Sequence, residues 1–461
     1  MMTKFWKKSS AKKSVIPKPI SFGELFKKGD SLTKLQYFVM GSNNIAKKQV
    51  PKGLFFLGVE ILFFYWLVSN GIHAIAMLKT LGTKSQGWKY DKTLGIQIQQ
   101  AGDNSMLLLL FGIAALLAIV LFIYVYWTNF KSNRKLYTLA KEGHKIPSTM
   151  QDIRSLFDEK FHITLMAIPI GGVLAFTVLP LLYMISIAFT SYDHNHLPPK
   201  NLFHWVGFTN FGSVINGDIS STFFPVLTWT IVWAVVATAT TFFGGILLAL
   251  LLNAKPLRGK KFWRIIFMIT MAVPQFVSLL LMANLFNDSG PINALLLNLG
   301  WIKTAIPFLT NGMLAKLTII VVNMWIGIPV TMLVATGIIQ NLPQDQIEAA
   351  TIDGANTFQI FRKITFPQIV FVMAPALIQQ FIGNINNFNV IYLLTGGYPS
   401  NSTFYSAGET DLLVTWLYKL TVDSADYNLA SVIGILIFIL SAVFSLFAYK
   451  KTNSYQNGGM A

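Results

Sequence analysis

Apolar residues along the chain fall into eight continuous runs, at 53–78, 106–128, 163–190, 223–252, 265–286, 317–339, 369–394 and 429–449. Each is long enough to cross a bilayer, which takes ~20 residues of helix. The runs are continuous, where a barrel strand would alternate apolar and polar positions. Lipid tolerates only backbone whose polar groups are bonded internally, so the pattern predicts helices. The expectation is an all-α integral membrane protein with eight transmembrane helices. The first 52 residues are basic and polar, and the first run is too long for the core of a cleavable signal peptide.

Composition and charge sharpen this picture. Hydrophobic residues make up 53% of the 461 positions and charged residues 12%, against about 25% charged in a soluble domain. The net charge of +17 comes from 36 Lys and Arg against 19 Asp and Glu. With the N-terminus inside, 28 of the basic residues lie in the inner segments 1–52, 129–162, 253–264, 340–368 and 450–461, and 8 lie in the outer ones. Such a bias sets orientation and predicts both termini in the cytoplasm, in a multi-pass protein of the cell membrane. The densest short cluster is Lys255, Arg258, Lys260, Lys261 and Arg264. The N-terminal lysines are scattered and not interleaved with stacking aromatics, so they read as a tail near anionic membrane lipid and not as a nucleic-acid arm. The chain has no cysteine, which removes disulfides, zinc–thiolate sites and thiol catalysis.

A transporter needs a source of energy, and the sequence carries little. The nearest approach to a phosphate-cradling loop, Gly259-Lys260, has Ala254 where the first glycine should stand and Lys261 where Ser or Thr should. No cofactor is expected in this chain, no catalytic residue, and no enzyme activity of its own. Glu60 is the one clear charge inside a run; it reads as a helix–helix polar contact or a relay group. Asp193-His194-Asn195-His196 has metal-ligand chemistry but no further ligand nearby, so it reads as a solvated outer loop.

The segment 341–367, between the sixth and seventh runs, has a local logic of its own. Pro343 suits a first helical turn and Gln344–Ala350 are compatible with helix. Gly354 predicts a bend. Ile360, Phe361 and Ile364 then sit at helical spacing, and Pro367 is expected to end that second helix. Glu348, Ala349 and Ala350 would form a small knob able to enter a cleft on another protein.

The run Glu348-Ala349-Ala350-Thr351-Ile352-Asp353-Gly354-Ala355, followed by Phe358, Phe361, Ile364 and Pro367, resembles the EAA loop of permease subunits in binding-protein-dependent ABC importers. Trp205–Phe211 and the Leu248–Asn253, Arg258-Gly259 and Val273-Pro274 segments resemble sugar permeases. The two extra N-terminal runs and Asn386–Gly397 are similar to the maltose/maltodextrin (MalF-like) type. The resemblance implies a type I importer fold: a six-span core at 163–449, two peripheral spans and a linker at 53–162, a basic segment at 1–52 and a tail at 450–461. It also implies a second permease subunit, two ATPase subunits that use ATP, an extracellular solute-binding protein and an oligosaccharide solute. Glu348, Ala349, Ala350, Asp353, Gly354 and Ala355 would couple to the ATPases.

The seventh run is rich in amides. On a continuous helix Gln380, Asn384 and Asn387 share one stripe, and Gln379, Asn386 and Asn389 lie on another side. The expectation is that the first stripe lines the solute pathway and the second pairs with a sister helix, although amides also bind helices together. In the sixth run Asn323, Gly327 and Val330 share a face, and Gly327 would admit a ligand or a helix. Trp325 and Phe388 could stack on sugar rings. The resemblance places the solute against Asn323, Ile326, Gly327, Val330, Gln380, Gly383, Asn384 and Asn387. Family members carry aromatics where Val330 and Gly383 stand, which points to a wider pocket here. It leaves open maltodextrin, a galacto-oligosaccharide or another sugar. A secondary transporter with a coincidental loop is the rival reading.

Overall fold

The computed structural model describes residues 20–450 apart from 92, 94 and 255, and the backbone alone at 89. Residues 1–19 of the basic segment, the tail from 451 onward and Lys255 of the basic cluster lie outside the described residues. Among the described residues seven helices are long and apolar enough to cross a membrane: Val50–Met77, Ser105–Lys141, Phe161–Ile187, Ser220–Asn253, Gly312–Gln340, Thr357–Ile385 and Tyr427–Lys450. A bent pair, Lys260–Ala272 and Gln275–Leu285, lies in the fifth position; counted as one broken span it brings the number to eight. Its two halves meet at 93°. Pro274 donates no N–H and forces Val273 into extended backbone, at φ −83° and ψ 127°.

Two expected boundaries move. The second span continues to Lys141, well past residue 128. The seventh starts at Thr357 and stops at Ile385, not at 394. Pro367 does not end a helix. The five-residue turn Phe361–Thr365 is wound as π-helix, and Pro367 then sits in the first turn of the regular helix Phe366–Ile385. A wider turn takes up the register that a proline ring would otherwise break. A small hairpin pairs Gly87–Asp91 with Ile96–Gln100, in antiparallel register with Gly87 opposite Gln100. It occupies the segment between the first two spans.

Contacts divide the chain into two compact units, Met1–Met184 with Pro198–His204, and Ile185–Leu197 with Trp205–Ala461. In the first unit the segment before span one is folded from residue 20 on. It carries the helices Phe22–Lys28, Ser31–Leu35 and Ser42–Ala46. These dock on the extension of span two through side-chain amides. Gln36 Nε2 donates to Asn129 Oδ1 at 2.7 Å, Asn43 Nδ2 to Asn133 Oδ1 at 2.7 Å, and Asn44 Nδ2 to Ser132 Oγ at 3.0 Å. All six residues are buried. Buried amides demand partners, so this network fixes one docking arrangement. Glu60 is buried too, and its Oε2 accepts the backbone N–H of Met40 at 2.7 Å. Its hydrogen bond goes to the backbone of the docked segment.

In the second unit spans four and six form the most extensive helix pair. A Cβ on Gly245 would lie 2.5 Å from Thr331 Cβ, and one on Gly327 2.5 Å from Thr241 Cγ2. Glycine is what lets the two backbones come this close. Phe242, Ile246, Met332, Ile369 and Met373 fill the space among spans four, six and seven. Trp233, Leu279, Ile319 and Val322 pack with the short helix Phe388–Leu394.

Polar links tie together the outer segments of this unit. Asn210 Nδ2 donates to the carbonyls of Ala188 at 2.9 Å and Thr190 at 2.8 Å, and Asn428 Nδ2 donates to Asn210 Oδ1 at 3.2 Å. The Trp205–Phe211 motif is therefore a structural clamp. Asp411 is wholly buried and accepts Lys419 Nζ at 2.7 Å, yet burial still pushes its carboxyl upward. The 193–196 loop is open to solvent at His194 and Asn195 and is also held in place: His196 bonds Asp193, and His194 Nδ1 meets buried Asp426 Oδ1 at 2.7 Å. Tyr405 donates to the other oxygen of Asp426, and burial together with that carboxylate pushes its phenol up to about 12.

The Asp426 hydrogen bond and charge raise the His194 imidazole above its ordinary value. The pair's contribution to stability is full below the unfolded value of about 6.5 and is lost as pH rises through the folded one. Thermal unfolding of the purified chain should occur at lower temperature as pH rises from about 6 to about 8. His194→Gln should flatten that stretch of the profile, and an unchanged slope would remove the pair from the account.

Candidate functional site

The segment between spans six and seven is built from two interlocking caps. The helix Gln344–Ile352 ends on Asp353, after which Gly354 takes a left-handed φ of +84°. Gly354 N–H donates to Thr351 O at 3.1 Å and Ala355 N–H to Ala350 O at 2.9 Å. That pair of bonds is a Schellman motif, and it requires the positive φ that glycine adopts without strain. Asn356 then caps the next helix reciprocally with Gln359, through bonds of 2.9 and 2.8 Å. Gln368 Nε2 reaches back to Gln346 Oε1 at 2.8 Å. The result is a rigid knob continuous with span seven. Glu348, Ala349, Asp353 and Gly354 are exposed on it, and Ala350 and Ala355 are half-buried. Ile352 is 86% exposed and Phe358 68%. Both are large apolar side chains standing open beside polar ones.

The amides of span seven divide differently from the expected way. Gln380 Nε2 donates to Thr241 Oγ1 at 2.7 Å and Asn384 Nδ2 to Thr238 Oγ1 at 2.9 Å, both on span four. Asn384 O also accepts Trp233 Nε1 at 3.1 Å. The donors of this first stripe thus bind one helix of the unit to another. Gln379, Asn386 and Asn389 are the exposed amides. The helix stops at Asn386, and Asn387 caps the following helix by accepting from Val390 N–H at 3.3 Å. Asn387 therefore lies beyond the helix, although its Nδ2 still donates to Asn384 Oδ1 at 3.5 Å.

On span six Asn323 is buried and Ile326 half-buried, while Val330 is 47% exposed. Gly327 faces Thr241, so its missing side chain serves a helix contact. Gly383 is exposed, and a Cβ there would meet nothing within 4 Å. Trp325 is 52% exposed. Phe388 stacks on Tyr392 at 4.8 Å and meets Tyr418 edge-on at 5.1 Å, so part of its ring is already covered. Thr238 and Thr241 were not singled out from the sequence. Their signal is the threonine-rich stretch 238–241 inside an otherwise apolar run.

Long apolar spans joined by an exposed and tightly capped helix define an integral membrane protein. The chain belongs to the family described as binding-protein-dependent transport system inner membrane component, which matches residues 242–452. It is 34% identical to the maltodextrin transport system permease protein MalC of Streptococcus pneumoniae, over 93% of this chain and 97% of that one. It is 35% identical to MdxF, a maltodextrin permease protein of Bacillus subtilis, over 91% and 95%. It is also 39% identical to GanP, a galactooligosaccharides permease protein of the same organism, over 79% and 87%. Among solved structures, a bacterial ABC transporter involved in import of the acidic polysaccharide alginate shares the fold. It has a TM-score of 0.53 at 24% identity, covering 64% of this chain and 96% of that one. Family membership excludes the secondary-transporter reading.

A double-mutant cycle tests the assignment of the first stripe. Asn384→Ala and Thr238→Ala should show a coupling of about 0.6 kcal/mol in unfolding of the purified chain. Asn386→Ala should leave stability unchanged. Zero coupling between Asn384 and Thr238 would overturn this role.

Proposed function

We propose that the chain is the permease subunit of an ABC importer that carries oligosaccharides, most directly maltodextrin, into the cytoplasm. It would pair with a second permease subunit and receive its solute from an extracellular binding protein. Two ATPase subunits would hydrolyse ATP and move it. Spans three to eight, 163–449, would form the core, with both termini cytoplasmic. The observation that carries this reading is the doubly capped knob at Gln344–Gln359, exposed at Glu348, Ala349, Ile352 and Phe358 and continuous with span seven. A rigid, open helix in this position is suited to enter an ATPase cleft and pass its motion to a span.

The solute reading rests on chemistry and on relatives. Amides both donate and accept, which suits neutral sugars. We assign the pathway to Asn323, Ile326, Gly327, Val330, Gln380, Gly383, Asn384 and Asn387, which requires Gln380 and Asn384 to exchange their bonds to Thr241 and Thr238 for sugar hydroxyls, and Gly327 to part from Thr241, as the spans move. Within it, Val330 and Gly383 leave room where bulkier side chains would narrow the passage, which favours longer oligosaccharides. Two relatives similar along most of their length are maltodextrin permeases. The similarity to a galactooligosaccharide permease supplies the second candidate solute.

The test uses the chain assembled with its sister permease, ATPases and binding protein in proteoliposomes. Glu348→Ala and Gly354→Pro should each lower sugar-stimulated ATP hydrolysis and uptake at least tenfold while the spans stay folded. Full coupling in both variants would sink the knob's role. Uptake of labelled maltodextrins and galacto-oligosaccharides by the wild type then decides the solute. Transport of galacto-oligosaccharides alone would replace maltodextrin.

A further inference from the structure

The first unit contains a basic cavity apart from the residues assigned to the solute and to the knob. Lys52 lies in the first turn of span one, Lys131 and Lys135 lie one turn apart on the extension of span two, and Lys160 precedes span three. With Gln49 and Asp152 they line a cavity of about 260 Å³. Asp152 Oδ2 accepts from Lys52 Nζ at 2.9 Å and from Gln49 Nε2 at 3.1 Å. Gln49 is itself buried and also donates to Pro147 O at 2.8 Å. Among the described residues, no ion pair involves Lys131, Lys135 or Lys160. Four ammonium groups therefore share one carboxylate around a preformed hollow, and like charges so gathered call for an anion.

The cavity has an apolar neighbour. Lys131 Nζ lies 3.5 Å from the centre of the Trp127 ring. Trp127 in turn lines an open groove with Val120, Ile123 and Tyr124 along the same helix. A small soluble anion has no use for that groove. A phospholipid does: its phosphate meets the lysines and an acyl chain lies along the groove, with Trp127 at the level where tryptophan favours the membrane interface.

We propose that this cavity and groove hold one anionic phospholipid, bound by its phosphodiester to Lys131, Lys135 and Lys160. The lipid would brace the docked N-terminal segment against the first two spans. The site lies wholly in the first unit and does not depend on which solute is carried.

The full chain in its permease complex can be tested with phosphatidylglycerol and phosphatidylcholine as probes. The readouts are lipid retained through detergent washing, by native mass spectrometry, and the unfolding temperature. Phosphatidylglycerol should be retained and should raise that temperature, more at low salt than at high. Phosphatidylcholine should do neither. Lys135→Gln combined with Lys160→Gln should lower phosphatidylglycerol retention roughly tenfold to thirtyfold. Lys79→Gln with Lys84→Gln, the same charge change elsewhere, should leave retention intact. Equal retention of the two lipids by the wild type overturns the proposal, and this comparison stands even if the double variant fails to fold. Equal loss in both double variants overturns it as well. Stabilisation by inorganic phosphate or glycerol 1-phosphate to the extent given by the lipid would overturn the lipid as occupant.

Discussion

Span four is the spine on which the second unit depends, and its contacts are of two kinds. Glycines let span six approach: Gly245 faces Thr331, and Gly327 faces Thr241. Threonines hold span seven: Thr238 and Thr241 accept from Asn384 and Gln380. Lipid is as apolar as the helices themselves, so hydrophobicity alone does not pull spans together. Close backbone packing and buried hydrogen bonds must do it. Both kinds of contact meet at Thr241, which packs against Gly327 with its methyl and bonds Gln380 with its hydroxyl.

The same demand organises the first unit with different residues. Gln36, Asn43 and Asn44 find Asn129, Asn133 and Ser132, and Glu60 finds a backbone N–H. From residue 20 on, what reads as a tail near anionic membrane lipid is a docked element, because its amides are matched one for one by polar residues spaced along one face of the span-two extension. The lysines beside this network then surround a cavity instead of dispersing into solvent.

Much of this was legible in the chain. Long apolar runs give the spans directly, since burial in lipid leaves few other uses for them. The Glu348–Ala355 segment was legible because its glycine and its spacing match a capped turn that the structure builds bond for bond. Three features were not legible, each for a physical reason. Asn387 fits the stripe of Gln380 and Asn384 by period, but its capping of the next helix competes with helix continuation and wins. Pro367 looked like a stop, but a π turn absorbs it. The partners of Gln380 and Asn384 were hidden because two threonines in an apolar run carry little pattern, and helix pairing is a non-local fact.

The π turn at Phe361–Thr365 has a mechanical consequence. It keeps Thr357–Ile385 a single helix of 29 residues, roughly 44 Å long at 1.5 Å per residue. Such a rod behaves as a lever arm. A tilt of about 10° imposed at the Asn356 end sweeps the Ile385 end through about 8 Å. The backbone leaves this helix at Asn356 on one side and at Asn386 on the other. A displacement of the Asn356 end is thus carried, by geometry alone, to the exposed amides beside Asn386.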